Sequence, residues 1–370
     1  MFLDFFRIWL RLSLRAYFKR FYWIGKENVP KKGPIIIASN HPSAFLDGFV
    51  GTIFLERHIH YITRGDVFKK PWAEKLLRFF RLIPIYRREE GKENMHKNDD
   101  TFRACFNLFE NGGGIIIFSE GICTEEKRLR PLRKGTARMA LEAEAKNNWQ
   151  LGLQIVPTGI NYTNPGQYGS EVFLVHDKPF DVLKYRESYE QNPARAINEL
   201  TSDLQERMKP LVITIPDPSD EEAAEYALAL DRIENPASKQ WMNHTVHRFL
   251  REREICATTK AGVDMPPLIR RENLFLQLLA ILFYWPGYVL NFPPIALSKY
   301  VQRTKVTRIE FSASVRILST LVFFIFYYII ASILLFTTLP KLISLGIVGI
   351  MIGAGMLSNW YLHKHLEQHK

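Results

Sequence analysis

Three apolar stretches near the C-terminus constrain the fold of this chain more than any other feature. They cover residues 274–296, 317–339 and 342–362, and a helix needs ~20 apolar residues to cross the hydrocarbon core of a bilayer. The first stretch contains Pro286, Pro293 and Pro294, which interrupt a helix. We therefore predict a membrane region over residues 273–370, with transmembrane helices at about 317–339 and 342–362.

Basic residues flank the first of these stretches on both sides. Arg270 and Arg271 precede it, and Lys299, Arg303 and Lys305 follow it. Because Lys and Arg are enriched in cytoplasmic loops, we expect both flanks on the cytoplasmic side and a re-entrant hairpin between them. A single straight span also fits the pattern. The chain is thus predicted to be an integral membrane protein whose soluble part lies on the cytoplasmic face.

The N-terminal segment, residues 1–28, has the pattern of an amphipathic helix. Arg7, Arg11, Arg15 and Lys19 recur every four residues and so form one charged face, while Phe, Trp and Leu fill the rest. A helix of this kind lies in a membrane interface. The alternative is a helix that packs on the protein's own core. The same charges interrupt any secretory signal sequence.

The formal net charge of +11 and the sequence pI of about 9.4 favour an anionic partner. The basic residues accompany apolar membrane segments and no nucleic-acid-reading motif is recognisable, so we expect a lipid bilayer and no nucleic acid. The 3 cysteines, Cys105, Cys123 and Cys256, form neither a metal spacing nor a disulfide framework. HExxH, CxxC and glycine-rich dinucleotide motifs are absent too, so we expect no metal and no bound cofactor.

Between about residues 29 and 216, short apolar runs alternate with amphipathic stretches, which predicts an α/β domain. Its strands are apolar throughout, so we expect a mixed, largely parallel sheet covered by helices on both faces. Helices are predicted at 101–111 and 134–147, and an acidic helical connector at 217–272. Strands are predicted at Ile35 to Ala38, His60 to Thr63, Ile83 to Tyr86, Gly114 to Phe118, Gln154 to Asn161 and Glu171 to His176.

The stretch IIIASNHPSAFLDGFVG places His41 and Asp47 just beyond the first of these strands. Open α/β sheets bind ligands at the ends of their strands, so the pair is a candidate base and its orienting acid. A capped turn before the next helix is the simpler interpretation. Ser43 fits either a helix cap or a nucleophile that His41 activates. Backbone amides at this helix start are candidate donors to an oxyanion.

Two further strand ends carry polar or basic residues. Arg87 follows Ile83 to Tyr86, and its guanidinium matches the geometry of a phosphate group. Glu120 and Gly121 follow Gly114 to Phe118, and a dense basic loop comes next. Solvated surface loops would show the same residues. In LQIVPTGINY, Pro157 removes a backbone donor, which predicts a position at a sheet edge or strand end.

Four blocks occur in one order: NHPSAFLD, LIPIYRRE, IIFSEGICT with LRPLRKGTARMAL, and IVPTGINY. Together they resemble the PlsC-type glycerolipid acyltransferases over residues 29–180. Members of that family move an acyl chain from a thioester onto a glycerophosphate hydroxyl. The resemblance implies that His41 and Asp47 are catalytic. It also implies that substrate binds at Arg87, Glu120, Gly121, Thr124 and Pro157, with Arg128 and Lys134 as further candidates for phosphate.

Two departures from the family pattern stand out. The family has four residues between the histidine and the aspartate, whereas this chain has five, from Pro42 to Leu46. Its third block reads F-P-E-G with an arginine two positions later, whereas this chain has Ser119 and Cys123 at those places. The first departure requires a turn that absorbs one extra residue, and the second removes one cation from the phosphate site.

The expected function is O-acyl transfer from acyl-CoA or acyl-carrier protein to glycerol-3-phosphate or 1-acylglycerol-3-phosphate in phospholipid biosynthesis. The C-terminal YWPGYVLNFPPIALSKY resembles the tail of some glycerol-3-phosphate acyltransferases, and this resemblance favours glycerol-3-phosphate as the acceptor. Two other functions fit the sequence. An acyltransferase on an amine or another lipid headgroup needs the His-Asp pair but no phosphate clamp. A catalytically silent lipid-binding membrane protein would tolerate both departures.

Overall fold

The computed structural model describes residues 2–86, 97–235, 243–262, 265 and 274–365. The chain divides into two compact units, and each consists of several segments. The first unit comprises Met1–Leu3, Tyr22–Asn161 and Phe173–Thr214. The second comprises Asp4–Phe21, Tyr162–Val172 and Ile215–Lys370.

A mixed sheet forms the centre of the first unit. Its strands are β1 (Arg20–Ile24), β2 (Ile35–Ser39), β3 (His60–Arg64), β4 (Leu82–Ile85), β5 (Gly114–Phe118), β6 (Gln154–Tyr162), β7 (Glu171–His176) and β8 (Phe180–Asp181). They lie in the order β1-β7-β6-β2-β5-β3-β4, and β8 pairs with β6. All six predicted strands are present, with ends that agree to within one residue, and β1 and β8 are additional.

The centre of the sheet is parallel, as predicted. β2 pairs in parallel with β5 on one side and with β6 on the other, so that Ser39 lies opposite both Phe118 and Thr158. β3 pairs in parallel with β4 and β5. The carboxyl ends of these strands therefore meet at one edge, which is where open α/β sheets place their ligand sites.

Both faces of the sheet are buried, which explains why its central strands are apolar throughout. Ile36 and Ala38 of β2 belong to a core cluster on one face, and Ile35 and Ile37 belong to a second cluster on the other. β-branched residues such as isoleucine suit this environment. The helices of the unit are α2 (Ala44–Thr52), α3 (Pro71–Phe79), α4 (Lys97–Glu110), α5 (Gly135–Lys146), α6 (Arg186–Gln191) and α7 (Pro193–Met208).

The second unit is mainly helical, and it also includes terminal residues of β1, β6 and β7. Two of its helices are long and apolar enough to cross a membrane, Ile309–Thr338 and Lys341–Leu362, and they cover the two transmembrane segments that the sequence predicts, except for Leu339. Its helices are α1 (Phe2–Tyr17), α8 (Glu221–Glu234), α9 (Asn243–Thr258), α10 (Leu274–Phe283), α11 (Trp285–Leu290), α12 (Phe292–Lys305), α13 (Ser312–Thr338) and α14 (Lys341–His365).

The apolar stretch 274–296 is divided among three short helices, α10, α11 and α12. Pro286 lies in the first turn of α11, and Pro293 lies in the first turn of α12. Proline is tolerated at these positions because the first turn of a helix needs no backbone donor, whereas it ends the preceding helix. The prolines thus break this stretch as expected, and no helix spans it from end to end.

The N-terminal helix is shorter than the 28 residues predicted. α1 ends at Tyr17, and β1 follows at Arg20. Leu10 and Leu14 are fully buried, whereas Ile8, Trp9 and Leu12 are exposed. The sequence did not reveal β1 because its residues, RFYWI, continue the aromatic and basic composition of the helix.

One buried histidine in the first unit makes stability depend on pH. His176, at the end of β7, is 3% exposed, and its Nδ1 lies 2.9 Å from Oγ1 of Thr158. Burial lowers the pKa of His176 from 6.5 to about 4. The unfolded chain therefore binds an additional proton between these two values, so stability falls as the pH is lowered through this window.

We expect the wild-type protein to lose up to about 1.4 kcal/mol of stability per pH unit at His176 between pH 6.5 and 4. His176→Gln removes this titration and should reduce the dependence, while His60, whose pKa burial also lowers to about 4, retains its own contribution. The melting temperature in detergent, measured across the same pH range, tests it, with the exposed His58→Gln as control. Equal acid sensitivity in His176→Gln and the wild type would contradict the assignment.

Candidate active site

The end of β2 is fixed to its neighbour β6 before the chain reaches His41. Nδ2 of Asn40 donates to the carbonyl oxygen of Ile160 at 2.9 Å, and the amide of Ile160 donates to Oδ1 of Asn40 at 2.7 Å. The Asn40 side chain thus replaces a strand partner, so that the chain leaves the sheet at a defined point.

His41 and Asp47 come together as the sequence predicts. Nδ1 of His41 lies 2.7 Å from Oδ2 of Asp47, and the same carboxylate oxygen accepts the amide of Ser43 at 2.7 Å. Asp47 is fully buried, while the His41 side chain is 16% exposed. Nδ1 therefore carries the proton that the carboxylate accepts, and Nε2 is left as the basic nitrogen.

The aromatic ring of Phe118 fixes the plane of the imidazole. The two rings stack with their centroids 3.9 Å apart and their planes 8° apart. Phe118 is the last residue of β5, so the sheet itself supports this contact. Sequence reasoning missed this residue, because an aromatic side chain at the end of a buried strand has no distinctive signal.

Among the five residues between His41 and Asp47, Ala44 has the unusual backbone conformation. This residue has φ +41°, in the left-handed region that side chains other than glycine rarely adopt. Helix α2 begins at Ala44, but the side chain of Ser43 does not cap it. The cap expected from Ser43 is therefore wrong. Asp47 instead reaches back from the first turn of α2 to accept the Ser43 amide.

The third block holds this turn in place. Oε2 of Glu120 accepts the amide of His41 at 3.0 Å, and Oε1 accepts the amide of Arg130 at 2.9 Å. The amide of Thr124 donates to the carbonyl oxygen of His41 at 3.2 Å. Glu120 is 5% exposed, and burial raises its pKa, although the amides of Arg130 and His41 oppose the shift. Glu120 and Thr124 thus tie two loops together, and their predicted contact with substrate remains a prediction.

The amides at the start of α2 are already used within the protein. Those of His41 and Ser43 donate to the carboxylates of Glu120 and Asp47, and that of Ala44 lies 2.9 Å from Sγ of Cys123. A donor group serves an oxyanion only when it is available to the reacting atom. The expectation that these amides form an oxyanion hole is therefore wrong for these three.

Gly121 turns the chain after β5 with φ +72°. A Cβ atom here would lie 2.9 Å from Cγ of Arg133, and the amide of Arg133 donates to the carbonyl oxygen of Ser119 at 2.7 Å. Both the backbone conformation and the close approach of Arg133 require glycine. The predicted role of Gly121 in substrate binding remains a prediction.

The basic loop is partly neutralised. Nε of Arg128 and Nη2 of Arg130 each lie 2.5 Å from a carboxylate oxygen of Glu126. Lys134 is exposed and directly precedes α5. The structure thus pairs the predicted phosphate ligand Arg128 with an acid and leaves Lys134 on the surface. Arg87 lies outside the described residues.

Pro157 lies in an interior strand, so its expected position at an edge or strand end is wrong. It is buried in β6 and lies opposite Ala38 of β2. Its carbonyl oxygen accepts the amide of Asp177, just beyond the end of β7. β8 pairs with residues 154 and 155 of β6, so Pro157 lies where β6 exchanges one partner for another, and its missing donor is tolerated there.

Among the described residues, one group has the composition of a metal site. Ligand atoms of His41, Asp47 and Cys123 lie within 4.8 Å of one another. Oδ2 of Asp47 and Nδ1 of His41 are hydrogen-bonded to each other, and Sγ of Cys123 faces an amide. Any ion bound here would therefore compete with the contacts that orient the imidazole.

The substitution Glu120→Gln tests the anchoring of His41. The amide group of glutamine can accept only one of the two backbone amides, so one buried donor loses its partner, at a cost of about 1–3 kcal/mol. We expect a lower melting temperature and a fall of at least about tenfold in turnover as His41 shifts. Glu56→Gln, in an exposed pair with Lys31, is the control. Wild-type stability and turnover in Glu120→Gln would contradict this role.

Comparison with known proteins agrees with the resemblance in the four blocks. Residues 20–161 match the family model described as Acyltransferase. Glycerol-3-phosphate O-acyltransferase 2 of Saccharomyces cerevisiae is 28% identical over 121 residues, which are 32% of this chain and 16% of that protein. A chloroplastic 1-acyl-sn-glycerol-3-phosphate acyltransferase of Brassica napus is 25% identical over 174 residues, 46% of this chain and 45% of that protein.

Among solved structures, PlsC of Thermotoga maritima, a 1-acyl-sn-glycerophosphate acyltransferase, has 19% identity and a TM-score of 0.38, covering 54% of this chain and 78% of that one. The chain spans less than half the length of the two curated relatives described. The family match covers β1 to β6 and includes His41, Asp47, Glu120 and Gly121. Residues 20–161 thus match an acyltransferase family model and are similar in sequence to glycerolipid acyltransferases.

Proposed function

We propose that this protein transfers an acyl chain from a thioester to a hydroxyl of glycerol-3-phosphate or 1-acylglycerol-3-phosphate in phospholipid biosynthesis. The observation that supports this most directly is the 2.7 Å contact between Nδ1 of His41 and Asp47. It leaves Nε2 of a partly exposed, stacked imidazole as a base. A His-Asp pair of this kind is what the chemistry requires.

A glycerol hydroxyl is a poor nucleophile at neutral pH. Nε2 of His41 removes its proton as the oxygen attacks the thioester carbonyl, and such general-base catalysis contributes about 10²–10⁴-fold. Asp47 holds the imidazole in the tautomer with the proton on Nδ1 and stabilises the imidazolium that forms. The thiolate then leaves as the carbonyl reforms, and the imidazolium of His41 gives its proton to the leaving sulfur. The transfer is direct in this proposal, because the glycerol hydroxyl, and not Ser43, attacks the thioester.

The glycerophosphate acceptor is supported by the relatives and by the surrounding charge. The two curated relatives are named for glycerol-3-phosphate and 1-acyl-sn-glycerol-3-phosphate. In this chain, Arg133 and Lys134 are exposed just before α5, where the N-terminal end of a helix favours an anion. With Arg128 and Arg130 in the same loop, they supply cations for the phosphate group.

The acyl donor in this proposal is acyl-CoA or acyl-carrier protein, and no metal or bound cofactor takes part. The two apolar helices α13 and α14 indicate membrane association. We place the reaction at the cytoplasmic face of that membrane, because basic residues flank the stretch 274–296 on both sides. Donor and acceptor are then both supplied from the cytoplasm or from the adjoining leaflet.

The test is acyl transfer by purified protein in detergent, with labelled glycerol-3-phosphate or its 1-acyl form and an acyl-CoA. We expect product with one acceptor, and losses of at least about 10²-fold in His41→Ala and Asp47→Asn. His58→Ala, an exposed histidine in the same unit, is the matched control and should retain wild-type turnover.

Each other outcome has a defined meaning. Near-normal turnover in His41→Ala would contradict general-base catalysis by this residue. Transfer to an amine-bearing lipid but to neither glycerophosphate would replace the proposed acceptor. Bound lipid without transfer to any acceptor would identify the protein as a silent lipid-binding member of the family.

A further inference from the structure

Cys123 contacts the turn between His41 and Asp47 at its most unusual residue. Its Sγ lies 2.9 Å from the amide nitrogen of Ala44 and accepts that N–H. Ala44 has φ +41°. An alanine in this conformation has a higher free energy than in ordinary helical or extended backbone, so the surrounding contacts must hold it there.

The geometry points to Cys123 as a positioning residue for the His41–Asp47 pair, which we propose on the basis of the function given above. The additional residue in the turn demands the left-handed conformation at Ala44. The resulting orientation points the amide of Ala44 toward the third block, and the thiol of Cys123 accepts it there. The two departures from the family pattern, five intervening residues and a cysteine in place of arginine, are then a matched pair.

The residues on either side of Cys123 also contact this turn, through two hydrogen bonds to His41. Glu120 accepts the amide of His41, and the amide of Thr124 donates to the carbonyl oxygen of His41. Cys123 adds a third contact, three residues further along the turn. Its Sγ lies within 4.8 Å of the ligand atoms of both His41 and Asp47. The thiol therefore adjoins the pair whose alignment it maintains.

The nature of the side chain matters for this role. A sulfur atom on a single methylene accepts an amide and fills little space, whereas an arginine offers donors only. Serine retains an acceptor at a shorter reach, and alanine removes the acceptor altogether. We expect activity to be highest in the wild type, lower in Cys123→Ser, lower again in Cys123→Ala and lowest in Cys123→Arg.

We test this with a double-mutant cycle between Cys123→Ala and Ala44→Gly, measured as kcat and KM for the glycerophosphate acceptor. Cys123→Ala should lower kcat by about tenfold or more with little change in KM, because a small misplacement of a base affects the chemical step. Glycine adopts φ +41° without strain. In the Ala44→Gly background, Cys123→Ala should therefore lower kcat by no more than about threefold.

Equal losses in both backgrounds, or wild-type kcat in Cys123→Ala, would overturn the proposal. A second measurement does not need a substrate. The Nδ1 proton of His41, held by Asp47, should give a strongly downfield resonance in protein labelled with ¹⁵N-histidine, retained in Cys123→Ser and weakened in Cys123→Ala. If no acceptor is acylated by the wild type, the proposed function fails, whereas this resonance still tests the positioning role.

A separate observation concerns the surface of α3. Trp72, Leu76 and Phe79 are 66%, 47% and 47% exposed, and their spacing of four and three residues places them on one side of the helix. Leu77, which lies on another side of the helix, is half-buried. α3 thus packs through one side and presents a second apolar stripe to its surroundings.

We infer that this stripe lies in the interface of an anionic bilayer. Four basic residues and one acidic residue occur between positions 69 and 80, and Lys69, Lys70 and Lys75 are exposed beside the stripe. A helix with tryptophan, leucine and phenylalanine on one side and lysine nearby matches the chemistry of that interface. Since α13 and α14 are candidate membrane spans, a bilayer is the surface expected to meet this helix.

Photocrosslinking tests this inference in nanodiscs that contain phosphatidylglycerol. Benzoylphenylalanine in place of Phe79 should form covalent adducts with lipid, detected by mass spectrometry of the digested protein. The same group in place of Glu74, which is on another side of α3, is the control and should form none. A crosslink between two protein copies would assign the stripe to a dimer contact instead. The absence of lipid adducts at position 79 would overturn the inference.

Discussion

The buried carboxylate of Asp47 is the interaction on which the rest of the site depends. One of its oxygens accepts both Nδ1 of His41 and the amide of Ser43, so the same atom orients the base and closes the turn that carries it. Hydrogen bonds to an ionised acceptor are roughly twice as strong as neutral ones, and this acceptor is fully shielded from water. Loss of the charge would therefore disturb the imidazole and the backbone together.

The turn cannot hold this arrangement alone, because Ala44 is in an unfavourable conformation. The third block provides the opposing contacts through Glu120, Cys123 and Thr124. In the sequence these residues appear as part of a binding motif for substrate. In the structure each of the three contacts the backbone of the His-Asp turn. The motif thus has a scaffolding role that its position beside the catalytic pair makes necessary.

The sequence predicted the sheet well, because apolar runs of about four to eight residues between turn signals usually form buried strands in a domain of this composition. It also predicted the pairing of His41 with Asp47, since the carboxyl end of a buried strand is where such residues converge. The predicted end of α1 was wrong, because aromatic and basic residues continue from the helix into β1 without a break. The predicted position of Pro157 was wrong because β6 pairs first with β8 and then with β7, and this change of partner depends on the tertiary structure.

The contacts of the third block were unpredictable for a related reason. A carboxylate that binds two backbone amides and one that binds a ligand have the same residue type at the same position, and only the fold distinguishes them. The sequence therefore revealed two departures from the family pattern but could not relate them to each other. That relation appears only when Ala44 and Cys123, which lie 79 positions apart, are seen in contact. A change in the length of one motif can thus be accommodated by a single side chain in another, and substitutions in such sites are best interpreted in pairs.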